Sequence, residues 1–274
     1  MTLFNKKLLS GPYSDYVGDL IDNDKLFQKL PTQLLTFNNA KTPKGEELGY
    51  LTAILYLAPS NLSGYPVCPF AALAQCEIPC LNTAGRGPMP SVQKARIRKT
   101  LMYHQYPVLF NELLICEINR AMRKAQRMGL TLVVRLNGTS DIPWENVIVL
   151  KSFNVLKNRF LEWNIFDLFP KIQFYDYTKA PTRHKLPENY HLTFSYSGAA
   201  SFNPIVAKWD SKRTNQNIAV VFGDHTMPVV FKNREVINGD SSDLRFLDSD
   251  NVVVGLTAKG KAKIDNSGFV VRAV

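Results

Sequence analysis

The sequence predicts an α/β protein: a partial, open parallel β/α barrel of about six strands with an irregular N-terminal extension. Three observations lead there. Short apolar runs of strand length recur along the chain, separated by segments long enough for crossovers, which is the pattern of parallel strands buried on both faces. The segment Ser91–Gly129 carries a single helical stripe. The composition, 45 % hydrophobic and 20 % charged over 274 residues, is that of a folded globular chain and excludes wholesale disorder.

Residues 1–49 are punctuated by Gly11, Pro12, Pro31, Pro43 and Gly45 and read as a mostly irregular extension packed on the main domain, with Leu26–Leu30 as a short helical group. Residues 50–274 read as the barrel-like domain. Its first strand, Leu51–Ala58, is stopped by Pro59, and a loop rich in Pro, Gly and Ser follows over 59–90. An irregular stretch of that length inside a compact domain is usually functional. Phe110, Leu114, Ile118, Ala121, Ala125 and Met128 then recur at steps of three and four, one face of a helix. Pro107 divides this segment into two helices and Gly129 is its C-cap. Leu132–Leu136 is a strand and Phe153–Leu168 is helical. Ile172–Tyr177, His191–Tyr196, Ile218–Phe222 and Val252–Leu256 are the remaining strands, with a short helix fitting within Phe202–Asn215. No internal repeat is evident.

No apolar run approaches the roughly 18 residues that span a bilayer. Met1–Ser10 is too short and too polar for a signal-peptide core. The expected location is therefore the cytoplasm, with no membrane partner, where thiols stay reduced and clustered cysteines point to a metal or to catalysis. Three of the four cysteines fall within thirteen residues, Cys68, Cys76 and Cys80, at spacing C-x7-C-x3-C. Thiolates are soft, anionic and compact enough to converge on one metal centre, either an iron–sulfur cluster or zinc. Three protein ligands leave a fourth position open, as catalytic metal sites do. The C-x2-C pairs of zinc ribbons are absent. Cys116 lies between Ile115 and Ile118 in the helix and reads as a packed thiol.

Lysine and arginine exceed aspartate and glutamate by 33 − 23 = +10. Lys94, Arg96, Arg98 and Lys99, and then Arg120, Arg123, Lys124 and Arg127, recur at helical spacing as basic stripes, either simply solvated or able to contact the phosphates of a nucleic acid. Gly85, Arg86 and Gly87 form a turn that lets the backbone approach an anion. In a parallel sheet the carboxyl ends of strands face the ligand crevice. Arg135, Asn137, Gly138, Thr139, Ser140 and Asp141 stand at one such end; Asp176 and Tyr177 at the next; Tyr196 at a third. His225 follows a later strand in Gly223-Asp224-His225-Thr226. The candidate catalytic residues are Asp141, Asp176 and His225, and the candidate cofactor-binding residues are Asn137, Gly138, Thr139, Ser140, Gly85 and Arg86. Asp240 and Asp243 read as turn caps, the commoner use, or as an acid/base pair or a metal site.

Several strings together resemble a known family. Gly49-Tyr50-Leu51-Thr52, Tyr56-Leu57-Ala58-Pro59, Cys68-Pro69, Cys80-Leu81-Asn82-Thr83-Ala84-Gly85-Arg86-Gly87, Arg135-Leu136-Asn137-Gly138-Thr139-Ser140-Asp141 and Asp243-Leu244-Arg245-Phe246-Leu247-Asp248 are similar to the bacteriophage "gene product 88"-like family, over roughly residues 40–265. The resemblance implies a phage or prophage origin and the cytoplasm of an infected cell, and it implies no activity. The architecture is also distantly similar to the radical S-adenosylmethionine enzymes, in which three cysteines after the first strand hold a [4Fe–4S] cluster whose fourth iron takes the cofactor. This chain departs from their C-x3-C-x2-C spacing and lacks a Gly-Gly-Glu string, with Asn137-Gly138-Thr139 standing in its place.

Two functional readings follow. In one, a [4Fe–4S] cluster on Cys68, Cys76 and Cys80 presents S-adenosylmethionine to a nucleotide or nucleic acid. In the other, the metal loop is structural, with zinc as its ion. The basic stripes, with Tyr103, Tyr106, Tyr175 and Tyr177, then bind single-stranded DNA in support of phage or host transcription or replication proteins.

Overall fold

The computed structural model describes residues 30–37, 42–154, 159–212, 215–223 and 227–272. In chain order it contains β1 (Leu35–Thr36), α1 (Thr42–Glu47), β2 (Tyr50–Leu55), α2 (Pro90–Gln105), α3 (Pro107–Met128), β3 (Thr131–Arg135), β4 (Leu150–Asn154), β5 (Arg159–Trp163), α4 (Ile165–Leu168), β6 (Gln173–Thr178) and β7 (Tyr190–Ser195). Then come α5 (Asn203–Asp210), β8 (Ile218–Phe222), β9 (Val230–Phe231), β10 (Arg234–Asn238) and β11 (Val253–Thr257). Nine of the strands form one sheet in the order β1-β2-β3-β6-β7-β8-β11-β10-β9. From β2 to β10 the neighbours run parallel, and β1 and β9 add antiparallel edges. The protein is thus mixed α/β on a mostly parallel sheet.

Both faces of this sheet are covered, as parallel strands require. Leu51, Ala53 and Leu55 of β2 and Leu132 and Val134 of β3 point to one side. There they pack with Phe110, Leu113, Leu114, Ile118 and Ala121 of α3. The alternate residue Val133 points to the other side and meets Tyr175 and Leu244, with Tyr50 and Phe246 against them. Towards the other edge Phe194, Ile218, Val220, Phe222 and Val253 pack with Phe202, Val206 and Trp209. Each buried Val, Leu, Ile or Phe among them contributes about 1.5–3 kcal/mol by leaving water.

The helices start and stop where the sequence dictates. Pro90 and Pro107 occupy first turns, where a missing N–H leaves nothing unsatisfied. Gly129 ends α3 at φ 67°, a left-handed conformation that suits glycine. Cys116 is buried on α3 as a packed thiol.

One expected element is overturned. Within the helix expected over Phe153–Leu168, Phe153–Asn154 and Arg159–Trp163 are strand instead: β4 and β5 pair antiparallel, and among the described residues of that span helix is confined to Ile165–Leu168. Lys151 and Glu162 face each other across that hairpin at 2.6 Å. The helix begins only where Asn164 caps it, its side chain accepting from the Asp167 N–H while the Asp167 carboxylate accepts from the Asn164 N–H. The sheet is also wider than six strands: β1, β9 and β10 join it. The helical group expected at Leu26–Leu30 falls outside the described residues, save Leu30. No helix among the described residues is long and apolar enough to cross a membrane.

Candidate functional site

The loop expected to carry chemistry lies over the carboxyl ends of the strands. It holds no strand and no α-helix from Pro59 to Met89, only a short 3-10 turn at Leu81–Thr83. Val67 accepts the Asp141 N–H at 2.8 Å beyond β3. The Ser197 hydroxyl donates to Ala74 O at 2.8 Å beyond β7. The Lys261 N–H donates to the Thr83 hydroxyl at 3.1 Å beyond β11. The loop therefore spans the edge at which parallel sheets place their ligand sites.

Cys68, Cys76 and Cys80 are free thiols, each half-buried on this loop. Burial pushes all three up, Cys68 to about 12; charge on Cys80 and Cys76 would raise Cys68 further, and charge on Cys76 would raise Cys80. Their present hydrogen bonds are weak: Cys68 Sγ donates to Thr139 O at 3.6 Å and Cys76 Sγ to Ala71 O at 3.7 Å, while Cys80 Sγ accepts the Asn82 N–H at 3.5 Å. Among the described residues no three Cys, His, Asp or Glu side chains stand close enough to share one metal ion.

Lys179, one residue beyond β6, supplies a cation to this centre. Its Nζ donates to the Ser195 carbonyl and hydroxyl, both at 3.1 Å, and stands over the rings of Phe269 (5.0 Å) and Phe202 (5.4 Å). Burial lowers its pKa, opposed by Cys76, Asp141, Cys68 and Cys80 in that order. Asp141 holds the lysine's backbone: its Oδ2 accepts the Lys179 N–H at 2.8 Å, and its Oδ1 faces Arg183 at 3.3 Å. Arg183 also grips Glu145, with Nη2 donating to Oε2 at 2.6 Å. Burial raises the Asp141 carboxyl above the ordinary range.

Asp176 is fully buried inside β6. Its Oδ1 accepts the Asn137 N–H at 2.8 Å and its Oδ2 the Tyr190 hydroxyl at 3.0 Å, and burial pushes it up to about 7. Arg135 lies 3.8 Å away, pairs with Asp243 at 3.0 Å and stacks over Tyr177 at 4.7 Å. Asp243, in the loop between β10 and β11, is thus an ion-pair partner of Arg135, whereas Asp240 accepts the Thr257 N–H and the Lys259 ammonium.

The expected cofactor residues divide. Asn137, Thr139 and Ser140 are buried and spend their side chains within the fold: Asn137 Oδ1 accepts from Ser140 and from the Ile142 N–H, and Thr139 donates to Leu57 O at 2.6 Å. Gly138 is demanded by packing, since a Cβ there would stand 2.6 Å from the Tyr56 ring and 2.7 Å from Leu55 O. Gly85 and Arg86 are exposed on the loop, Gly85 at φ 55°. His225 lies outside the described residues.

The basic stripes are only partly a solvated face. Lys94, Arg98, Arg123 and Arg127 are exposed. Arg120 is half-buried, and Lys124 stands over the Phe37 ring at 4.7 Å. Lys99 is a correction: it is buried and donates to Leu34 O at 2.6 Å, because the segment around β1 crosses the helix there. Arg96 is another, since it turns into the cysteine loop and bonds the Asn82 carbonyl. Two of the tyrosines read as base-stacking surfaces serve the core instead. Tyr175 is fully buried, and Tyr103 packs edge-on against Phe110 and Trp144.

The sequence places Lys179 at the end of the polar group Tyr175–Lys179 and Asn82 beside the Gly85–Gly87 turn but gives neither a role, and it does not single out Arg183. The signal for Lys179 is a lysine directly after a strand that mixes aromatic and polar residues. Arg183 and Asn82 carry no such signal, because their roles depend on partners 38 and 14 residues away.

The sequence matches the Gene product 88 family over residues 33–273, a span that holds all of these groups. No curated protein and no solved structure matches the chain.

Proposed function

The chain belongs to the Gene product 88 family, and from that premise we propose that it is a phage-encoded iron–sulfur protein working as an enzyme of the radical S-adenosylmethionine type. The observation that carries the reading is the placement of three half-buried thiols and one buried-side lysine over the carboxyl ends of a mostly parallel sheet. In this reading the chain-order run of β2, β3, β6, β7 and β8 is the wall of a partial barrel.

The donor set suits a [4Fe–4S] cluster on Cys68, Cys76 and Cys80. Three free thiols on one loop are the soft donors that such a cluster would take. When bound, such a cluster would supply one-electron reduction of S-adenosylmethionine, the electron coming from an external reductant. The chain's own groups prepare the place. The Asn82 N–H points at the Cys80 sulfur, and hydrogen bonds to sulfur tune a cluster's potential. Lys179 offsets negative charge that the thiolates bring into a low-dielectric site. Asp141 and Arg183 fix the backbone from which Lys179 extends. The net charge of +10 and the exposed Lys94, Arg98, Arg123 and Arg127 support a nucleotide or nucleic acid as substrate.

The test is methionine release from S-adenosylmethionine by reduced, oxygen-free protein. Release that disappears in Cys68→Ala, Cys76→Ala and Cys80→Ala supports the proposal. Iron-loaded protein that binds S-adenosylmethionine and never cleaves it would sink it.

A further inference from the structure

Arg96 is the second cation beside the cysteines. Its guanidinium lies over the Tyr56 ring at 4.8 Å and donates to the Asn82 side-chain carbonyl. Asn82 is itself fixed, its backbone N–H on Cys80 Sγ at 3.5 Å and its side-chain amide on Gln93 at 3.1 Å. Arg96 therefore holds one orientation next to Cys80, and its Nε is enclosed with no hydrogen-bond partner.

The contrast with the neighbouring arginines is chemical. Arg135 is given Asp243, and Arg183 is given Asp141 and Glu145. Among the described residues Arg96 makes no ion pair. The groups that act on its charge are Tyr56 and Cys80, neither a carboxylate. A guanidinium fork that is held rigid, partly desolvated and left without an acid is built to receive one, because its planar donors match carboxylate and phosphate oxygens.

We propose that Arg96, backed by Tyr56 and Asn82, binds the carboxylate or phosphate group of the small molecule that meets the cysteine centre. The inference rests on the reading above for what that molecule meets; the binding itself rests on the geometry of Arg96. Citrate and inorganic pyrophosphate are the probes, titrated calorimetrically at millimolar concentration and constant ionic strength into wild type, Arg96→Met, Arg96→Lys and the exposed Arg159→Met. Saturable binding of at least one anion is expected. It should weaken at least about tenfold in Arg96→Met, survive in part in Arg96→Lys, and stay unchanged in Arg159→Met. Citrate alone identifies a carboxylate and pyrophosphate alone a phosphate. Equal affinity in wild type and Arg96→Met, or no saturable binding of either anion, overturns the proposal. Running the titrations on iron-loaded and iron-free protein separates the two ideas. Arg96-dependent binding in protein that never takes up iron keeps this proposal and ends the cluster reading, and iron-loaded protein without such binding does the reverse.

Discussion

Replacing Arg183 by Met should be among the most damaging single changes near the cysteine centre. Its guanidinium reaches Asp141 Oδ1, the Thr178 hydroxyl and Ile142 O, each at 3.3 Å, and Glu145 Oε2 at 2.6 Å. The side chains of Asp141 and Glu145 are only 10 % and 2 % exposed, so methionine leaves two buried carboxylates without their cation. Removing one partner of a buried ion pair costs about 3–5 kcal/mol, since the remaining charge is neither solvated nor matched. The deficit has a sign in pH. Burial already raises the Asp141 carboxyl and Arg183 opposes that rise, so without Arg183 it moves further above its unfolded value and the folded state holds a proton that the unfolded chain has released. Stability therefore falls as pH rises from about 4 towards neutrality. Urea unfolding at pH 5 and pH 8 should show a lower midpoint at both and a larger deficit at pH 8, with the slope m unchanged. A loss below about 1 kcal/mol, or the same loss at both pH values, would refute this reasoning.

Three further predictions follow from the same contacts. Glu117 accepts the Leu34 and Leu35 N–H groups at 2.7 Å each beside Lys99, so Glu117→Ala should cost about 3–5 kcal/mol in a denaturant titration and free the segment around β1 to exchange its amides. Gly138→Ala should cost at least about 1–3 kcal/mol, because its Cβ meets Leu55 O, a backbone atom unable to step aside; an unchanged Tm would contradict the packing account. Asp176, pushed up to about 7 by burial, keeps a proton in the folded state that the unfolded chain loses near pH 4, so wild-type Tm should fall between those values. Asp176→Asn should flatten that slope, and a slope equal to wild type would exclude Asp176 as its source.

Much of the fold was legible because burial on both faces writes itself into composition. Runs such as Leu51–Ala58 and Ile218–Phe222 are apolar enough to be strands of a covered parallel sheet, and Pro107 and Gly129 mark helix ends by backbone chemistry alone. β10 was not legible, since Arg234–Asn238 pairs a polar sequence with the apolar β11. The β4–β5 hairpin was missed because a short mixed run fits both helical and strand periods. Within the site, the cysteine loop declared itself by composition. Nothing in the order Asn137-Gly138-Thr139-Ser140 tells that these polar groups bond one another and the end of β2. Lys99 and Arg96 share a stripe with exposed cations, and only what packs across each, the Leu34 carbonyl or the Asn82 loop, separates them.

The central claim is that Cys68, Cys76 and Cys80 hold an iron–sulfur cluster. Iron and acid-labile sulfide analysis with a visible absorption spectrum, on protein purified without oxygen, tests it most directly. The account predicts about four irons and four sulfides per chain and a brown, broadly absorbing protein, all lost in Cys76→Ala. A colourless protein holding one zinc, or a metal content unchanged by that substitution, would contradict it.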